Sequence, residues 1–72
     1  MHPIGVMTMS LAEQIIKLRK AAGLTQPELA GRSGVGLRFV RELERGKPTV
    51  RLDKVKQVLD LLGHELRVRP KP

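Results

Sequence analysis

Apolar residues recur along this chain with two different periods. Leu11, Ile15, Leu18 and Ala22 fall at i, i+4, i+7 and i+11, which is one face of a helix. Ser10 stands before them as an N-cap, Glu13 three residues on completes a capping box, and Gly23 marks the stop. A second start follows at once. Thr25 caps, Pro27 occupies the first turn where its missing N–H does no harm, and Glu28 completes a second box. Leu29 and Ala30 are its inward residues, Gly31 inside it costs about 1 kcal/mol relative to alanine, and Ser33-Gly34 breaks it. The pattern predicts a third helix over Leu37 to Glu44, with Val40 and Leu43 inward and Gly46-Lys47-Pro48 as its end. A fourth starts between Thr49 and Arg51 and ends at Gly63, with Leu52, Val55, Leu59 and Leu62 as its buried stripe and Val58 and Leu61 widening it. The period then changes to two. His64-Glu65-Leu66-Arg67-Val68-Arg69 alternates polar and apolar, a strand signal ended by Pro70 and Pro72. A lone strand cannot satisfy its own backbone groups, so it must pair outside the chain or fray. Residues 1–9 carry no period and are expected to be a flexible arm, leaving 10–63 as the folded domain and 64–72 as a C-terminal strand and tail.

Within that domain, residues 26 to 45 (QPELAGRSGVGLRFVRELER) hold the informative spacing. Two short helices are joined by a tight turn. Ala30 is small where the helices cross, and Gly34 tolerates the positive φ such a turn needs. Leu29, Val35, Val40 and Leu43 are apolar where both helices must pack on their neighbours. Together these positions give the spacing of a helix-turn-helix.

Composition narrows what such a frame can do. Seventy-two residues support one domain, and a chain so short is marginal alone and gains from a partner. One Phe, no Tyr and no Trp leave no stacking platform for single-stranded nucleic acid. The absence of Cys excludes a disulfide scaffold, a thiolate zinc site and a redox centre. Fourteen Lys and Arg against seven Asp and Glu give a net charge of +7 and a pI near 10.9, so a polyanionic partner is expected. Seven of the cations and three of the acids fall between Leu37 and Lys56, around the predicted third helix. No apolar run approaches the roughly 20 residues a membrane span needs, and Met1 to Ser10 lacks signal-peptide order, so a cytoplasmic protein is expected. His2 and His64 stand apart from any catalytic or metal-ligating set, and Asp53 and Asp60 are two turns apart, so neither an enzyme nor a metal or cofactor site is expected.

Gly23-Leu24-Thr25-Gln26 before the motif and Leu43-Glu44-Arg45-Gly46-Lys47-Pro48 after it resemble the Xre/Cro-type helix-turn-helix repressors. The resemblance covers residues 11 to 63, about three quarters of the chain. It implies an all-α, lambda-repressor-like fold of four or five helices that binds DNA as a dimer. Leu62-Gly63-His64-Glu65-Leu66-Arg67-Val68 is similar to one subset, the HipB-like antitoxins, in which a C-terminal strand pairs with its twin across the dimer. That likeness implies autoregulation of an operon and a HipA-like serine/threonine kinase toxin as partner. The chain departs from the family at Gly36, where Ser or Thr is usual, and at Leu37, Arg38 and Phe39, where small polar residues are common.

Site residues follow from the motif and the resemblance together. Gly36, Leu37, Arg38, Arg41 and Glu42 are expected to meet base edges: Arg38 and Arg41, three apart on one face, suit guanine, Leu37 a thymine methyl, and Glu42 cytosine or an ion pair. Gln26, Arg45, Gly46 and Lys47 are expected on the phosphates, Gln26 at a helix N-terminus and the others in the loop past the third helix with its backbone N–H groups. Phe39 is expected to pack, and Glu44 to pair with a nearby Arg. Leu66, Val68, Leu61 and Val58 are expected to cover one another across a dimer whose recognition helices stand about 34 Å apart on a palindromic operator in double-stranded DNA. The competing readings are a free-standing Cro- or phage-type repressor without a toxin, an inhibitor module that holds another protein without binding DNA, and a peripheral membrane binder using the fourth helix.

Overall fold

The computed structural model describes residues 10–68 and 70; the arm expected over 1–9 and the end of the tail lie outside the described residues. Four helices follow in order: α1 Leu11–Ala21, α2 Gln26–Ser33, α3 Leu37–Glu44 and α4 Leu52–Leu61.

Local chemistry accounts for their ends. Both capping boxes form. The Glu13 N–H donates to Ser10 Oγ at 3.1 Å and the Ser10 N–H to Glu13 Oε1 at 3.2 Å, while the Glu28 N–H donates to Thr25 Oγ1 at 3.2 Å and the Thr25 N–H to Glu28 Oε1 at 2.8 Å. At the α2 C-terminus Gly34 takes φ of 83°, letting the Gly34 and Val35 N–H groups both reach the Ala30 carbonyl and turning the chain into α3. The other two N-termini lack side-chain caps: Gly36 precedes α3, and Arg51 precedes α4, its guanidinium turned to Asp53 instead.

The core is aliphatic. Ile15 of α1, Leu29 and Ala30 of α2, Val35 of the turn, Val40 and Leu43 of α3, and Val55, Val58 and Leu59 of α4 are buried together. α2 packs on α3 and on α4, and α1 packs on α3. Leu11, Leu18, Leu24, Leu37, Phe39, Val50 and Leu62 close the rim.

Three expectations change here. Leu52 does not continue the buried stripe of α4: it is 63% exposed, in a first turn where Arg51 and Asp53 are also exposed. Val58 is fully buried inside the single chain, so it serves the core and is not a surface for a second copy. Residues 64–68 form no strand among the described residues. A strand exists only as part of a ladder, and no second strand stands beside this segment among the described residues.

Candidate nucleic-acid interface

α3 turns Val40 and Leu43 into the core and leaves Arg38 and Arg41 outside. Its placement is fixed from behind by a partly buried ion pair. The Arg19 Nε donates to Glu44 Oε2 at 2.6 Å and Nη2 to Oε1 at 3.0 Å, with Nη1 reaching the Leu24 carbonyl at 2.9 Å. The two side chains are only 13% and 5% exposed. Glu44 holds the Arg19 guanidinium in its charged form, driving its pKa up against the opposing effect of burial. Gln26 joins the pair through Nε2, 3.0 Å from Glu44 Oε1. α1, the start of α2 and the end of α3 are thereby tied at one point. Arg19 was not foreseen from the pattern, because it lies beside the inward face of α1 and nothing in its spacing distinguishes it from Lys17 or Lys20.

The cations foreseen on one face are spread over neighbouring depressions, with Arg38 and Arg41 in different ones and Arg45 also beside Lys47 and Glu42. Arg41 and Arg45 line a shallow cleft with Gln26, Glu44 and Ile16. Arg38 and Lys47 line another, with Gly36, Phe39, Glu42, Thr49, Val50, Arg51 and Lys54. Three residues along a helix turn a side chain by about 300°, so Arg38 and Arg41 point roughly 60° apart. In the first cleft neither arginine has a carboxylate partner among the described residues, since Glu44 is spent on Arg19 and Gln26. In the second, Glu42 lies between the cations: its Oε2 is 3.5 Å from Arg38 Nε and its Oε1 accepts from Lys47 Nζ at 3.4 Å. Partial burial pushes the Glu42 carboxyl up, but the Lys47 and Arg38 charges outweigh it and hold it below the usual range. Lys54 Nζ stands 5.7 Å from the centre of the half-buried Phe39 ring, within cation–π reach.

Several expected contacts are modified by this geometry. Gly46 is unavailable as a backbone donor to phosphate: its N–H donates to the Leu43 carbonyl, and those of Arg45 and Lys47 to Arg41 and Glu42, closing the end of α3. Only the side chains of Arg45 and Lys47 face outward as donors. The start of α2 is a poorer anion site than most, because Pro27 has no N–H and that of Glu28 is taken by Thr25. Leu37 is half-buried against the core, which accounts for its apolar character. Glu42 has an ion-pair contact at each oxygen, to Arg38 and to Lys47, which matches the ion-pair alternative expected for it. Gly36 has φ of −75° and nothing within 4 Å of where a Cβ would stand, so neither strain nor space requires glycine there.

No helix among the described residues is long and apolar enough to cross a membrane. A family model described as a helix-turn-helix domain matches residues 10–69. A protein of Sinorhizobium fredii (strain NBRC 101917 / NGR234), named as an uncharacterized HTH-type transcriptional regulator y4mF, is 59% identical to the chain over 46 residues. Those residues are 64% of this chain and 60% of that relative, so the chain spans less than two thirds of its length.

Proposed function

We propose that this chain, which belongs to the helix-turn-helix domain family, is a DNA-binding transcriptional repressor that inserts α3 into the major groove of a palindromic site. The observation that carries the reading is the exposed cationic outer side of α3 and the loop after it, where Arg38, Arg41, Arg45 and Lys47 stand around a helix whose other side is locked into the core. An inhibitor module with no DNA gives no reason for four cations to gather on the outer side of α3 and the loop after it. In this reading Arg38 reads a base edge, while Arg41 and Arg45, grouped with Gln26, grip the backbone. Catalysis and a cofactor have no part in it.

The repressor acts as a homodimer. Leu61, Leu66 and Val68 are exposed apolar residues at and beyond the end of α4, and Leu66 and Val68 share one face of an extended segment. A second copy of that segment supplies the ladder partner that one chain lacks. Deleting residues 64–72 is expected to weaken dimerisation, measured by sedimentation, together with DNA binding. A truncated chain that remains a tight dimer refutes this interface.

The finer reading is an antitoxin of the HipB-like kind, supported by the resemblance of residues 62–68. It predicts a kinase gene abutting this one and a ternary complex of kinase, this chain and DNA, with the kinase on surfaces that DNA leaves free. The test of the whole proposal is enrichment of a duplex from a randomised pool by the full chain, followed by affinity across a salt series. A steep salt slope and an enriched palindrome are expected. Recovery of no sequence with a shallow slope refutes it.

A further inference from the structure

We infer that Glu42 sets how sharply this surface distinguishes its own site from other DNA, by opposing indiscriminate phosphate contact at the two cations beside it, Arg38 and Lys47. The inference rests on the DNA-binding reading above.

Of the two carboxylates of α3, Glu44 is 5% exposed and engaged by Arg19 and Gln26 at the floor of the Arg41–Arg45 cleft. Glu42 is 27% exposed and lies on the outer side, between Arg38 and Lys47. It is therefore the acid of α3 that a duplex meets. Its contacts are long, 3.5 and 3.4 Å, and its partners are open to water, Arg38 at 91%. Such pairs are weak enough to be exchanged. A phosphate approaching Arg38 or Lys47 must displace a carboxylate and then remain near its charge. Arg41 and Arg45 impose no such toll, since neither has an acidic partner among the described residues.

A base edge presents a different case. Arg38 approaches Glu42 most closely through Nε, which leaves its two Nη groups for a bidentate acceptor such as the O6/N7 edge of guanine. The guanidinium keeps its carboxylate neighbour there and gains an uncharged partner, against which Glu42 exerts far less repulsion than against a phosphate. The penalty from Glu42 thus falls mainly on complexes held by phosphates alone. The acid acts as a local charge against the backbone, with no direct contact to a base.

The test uses the full chain, the duplex it selects from a randomised pool, and a scramble of that duplex. Glu42→Gln keeps the shape and removes the charge. With one more cation effective on the backbone, affinity for the scramble is expected to rise about eightfold at about 0.1 M salt, and the log–log salt slope to steepen by about 0.9. The selected duplex is expected to gain less, so the ratio of the two affinities falls. In an Arg38→Ala background, Glu42→Gln should move that ratio far less. Equal gains on both duplexes, no gain on either, or an undiminished change of ratio without Arg38 each overturn the inference. Unchanged thermal melting of Glu42→Gln is expected for this outward residue and separates these outcomes from a folding defect. A wild-type chain with no salt-dependent affinity for either duplex overturns the DNA-binding reading itself, and this is known before any variant is made.

Discussion

Glu44→Ala removes the acceptor of three side-chain donors at once: Arg19 Nε, Arg19 Nη2 and Gln26 Nε2. The Arg19 guanidinium is left with the Leu24 carbonyl in a site only 13% exposed. Breaking a buried pair from one side costs about 3–5 kcal/mol, because the surviving charge is neither solvated nor matched. Some water reaches Arg19, so the lower end applies, about 3 kcal/mol. For a domain of this size each kcal/mol is worth about 4–8 °C, which places the fall in melting temperature at about 12–24 °C. Circular dichroism melting and urea titration measure it. Arg19→Met with Glu44→Leu then tests the cause. If the cost is the orphaned charge, filling both positions with apolar side chains recovers most of the loss, since a buried pair is seldom more stable than its hydrophobic replacement. A Glu44→Ala variant within about 0.5 kcal/mol of the parent refutes the reasoning, and so does a double variant no better than the single one.

Leu59 and Leu52 make a matched pair on α4: Leu59→Ala empties a core site and is expected to cost about 2–4 kcal/mol in urea unfolding, while Leu52→Ala, exposed, should stay within about 0.5 kcal/mol. Gly36→Ser introduces a capping hydroxyl at an unstrained position with open space around it, and is expected to raise stability by about 0.5 kcal/mol in the same assay. The Glu28 carboxyl is held below its ordinary value of 4.5 by hydrogen bonds with Thr25, the backbone one foremost. A carboxyl whose pKa is lowered on folding stabilises the fold above the unfolded pKa and loses that contribution as pH falls through the folded value. The melting gap between the parent and Glu28→Gln should therefore be present at neutral pH and close as the pH falls below the ordinary carboxyl value of 4.5; a gap that widens contradicts the assignment.

The helices were legible because their signals are local. Ser10 with Glu13, and Thr25 with Glu28, mark starts by chemistry that operates within one turn, and both boxes form. Gly34 marks a stop because the turn into α3 needs a positive φ. What escaped depends on neighbours that the pattern does not specify. Leu52 fits the apolar period of α4, but periodicity carries no information on where the covering helices stop, and the first turn stands in solvent. Arg19 is one cation among several on α1, and only the arrival of α3 singles it out by bringing Glu44 within 2.6 Å. The Gly46 backbone suggested an open loop, yet a helix end must satisfy its own carbonyls first and takes those N–H groups.

The division of Arg38 from Arg41 follows from the same distinction between spacing and surroundings. By spacing the two are equivalent, one turn apart on an outward arc. By surroundings they differ in every respect that matters for an anion. Arg41 lies beside Gln26 and Arg45, where the only nearby carboxylate is already neutralised by Arg19. A diffuse charge such as a phosphate gains from two unopposed cations and an amide, and needs little geometric match. Arg38 lies against an acid that is shared with Lys47. Its net attraction for a phosphate is reduced, while its capacity for a directional, bidentate contact is retained. The partly buried Arg19–Glu44 pair contributes to this difference: it engages Glu44, so that Arg41 and Arg45 have no ion-pair partner among the described residues, and leaves Glu42 as the less engaged acid of α3. On the DNA-binding reading proposed above, holding and base contact are divided along one eight-residue helix by the different surroundings of Arg41 and Arg38.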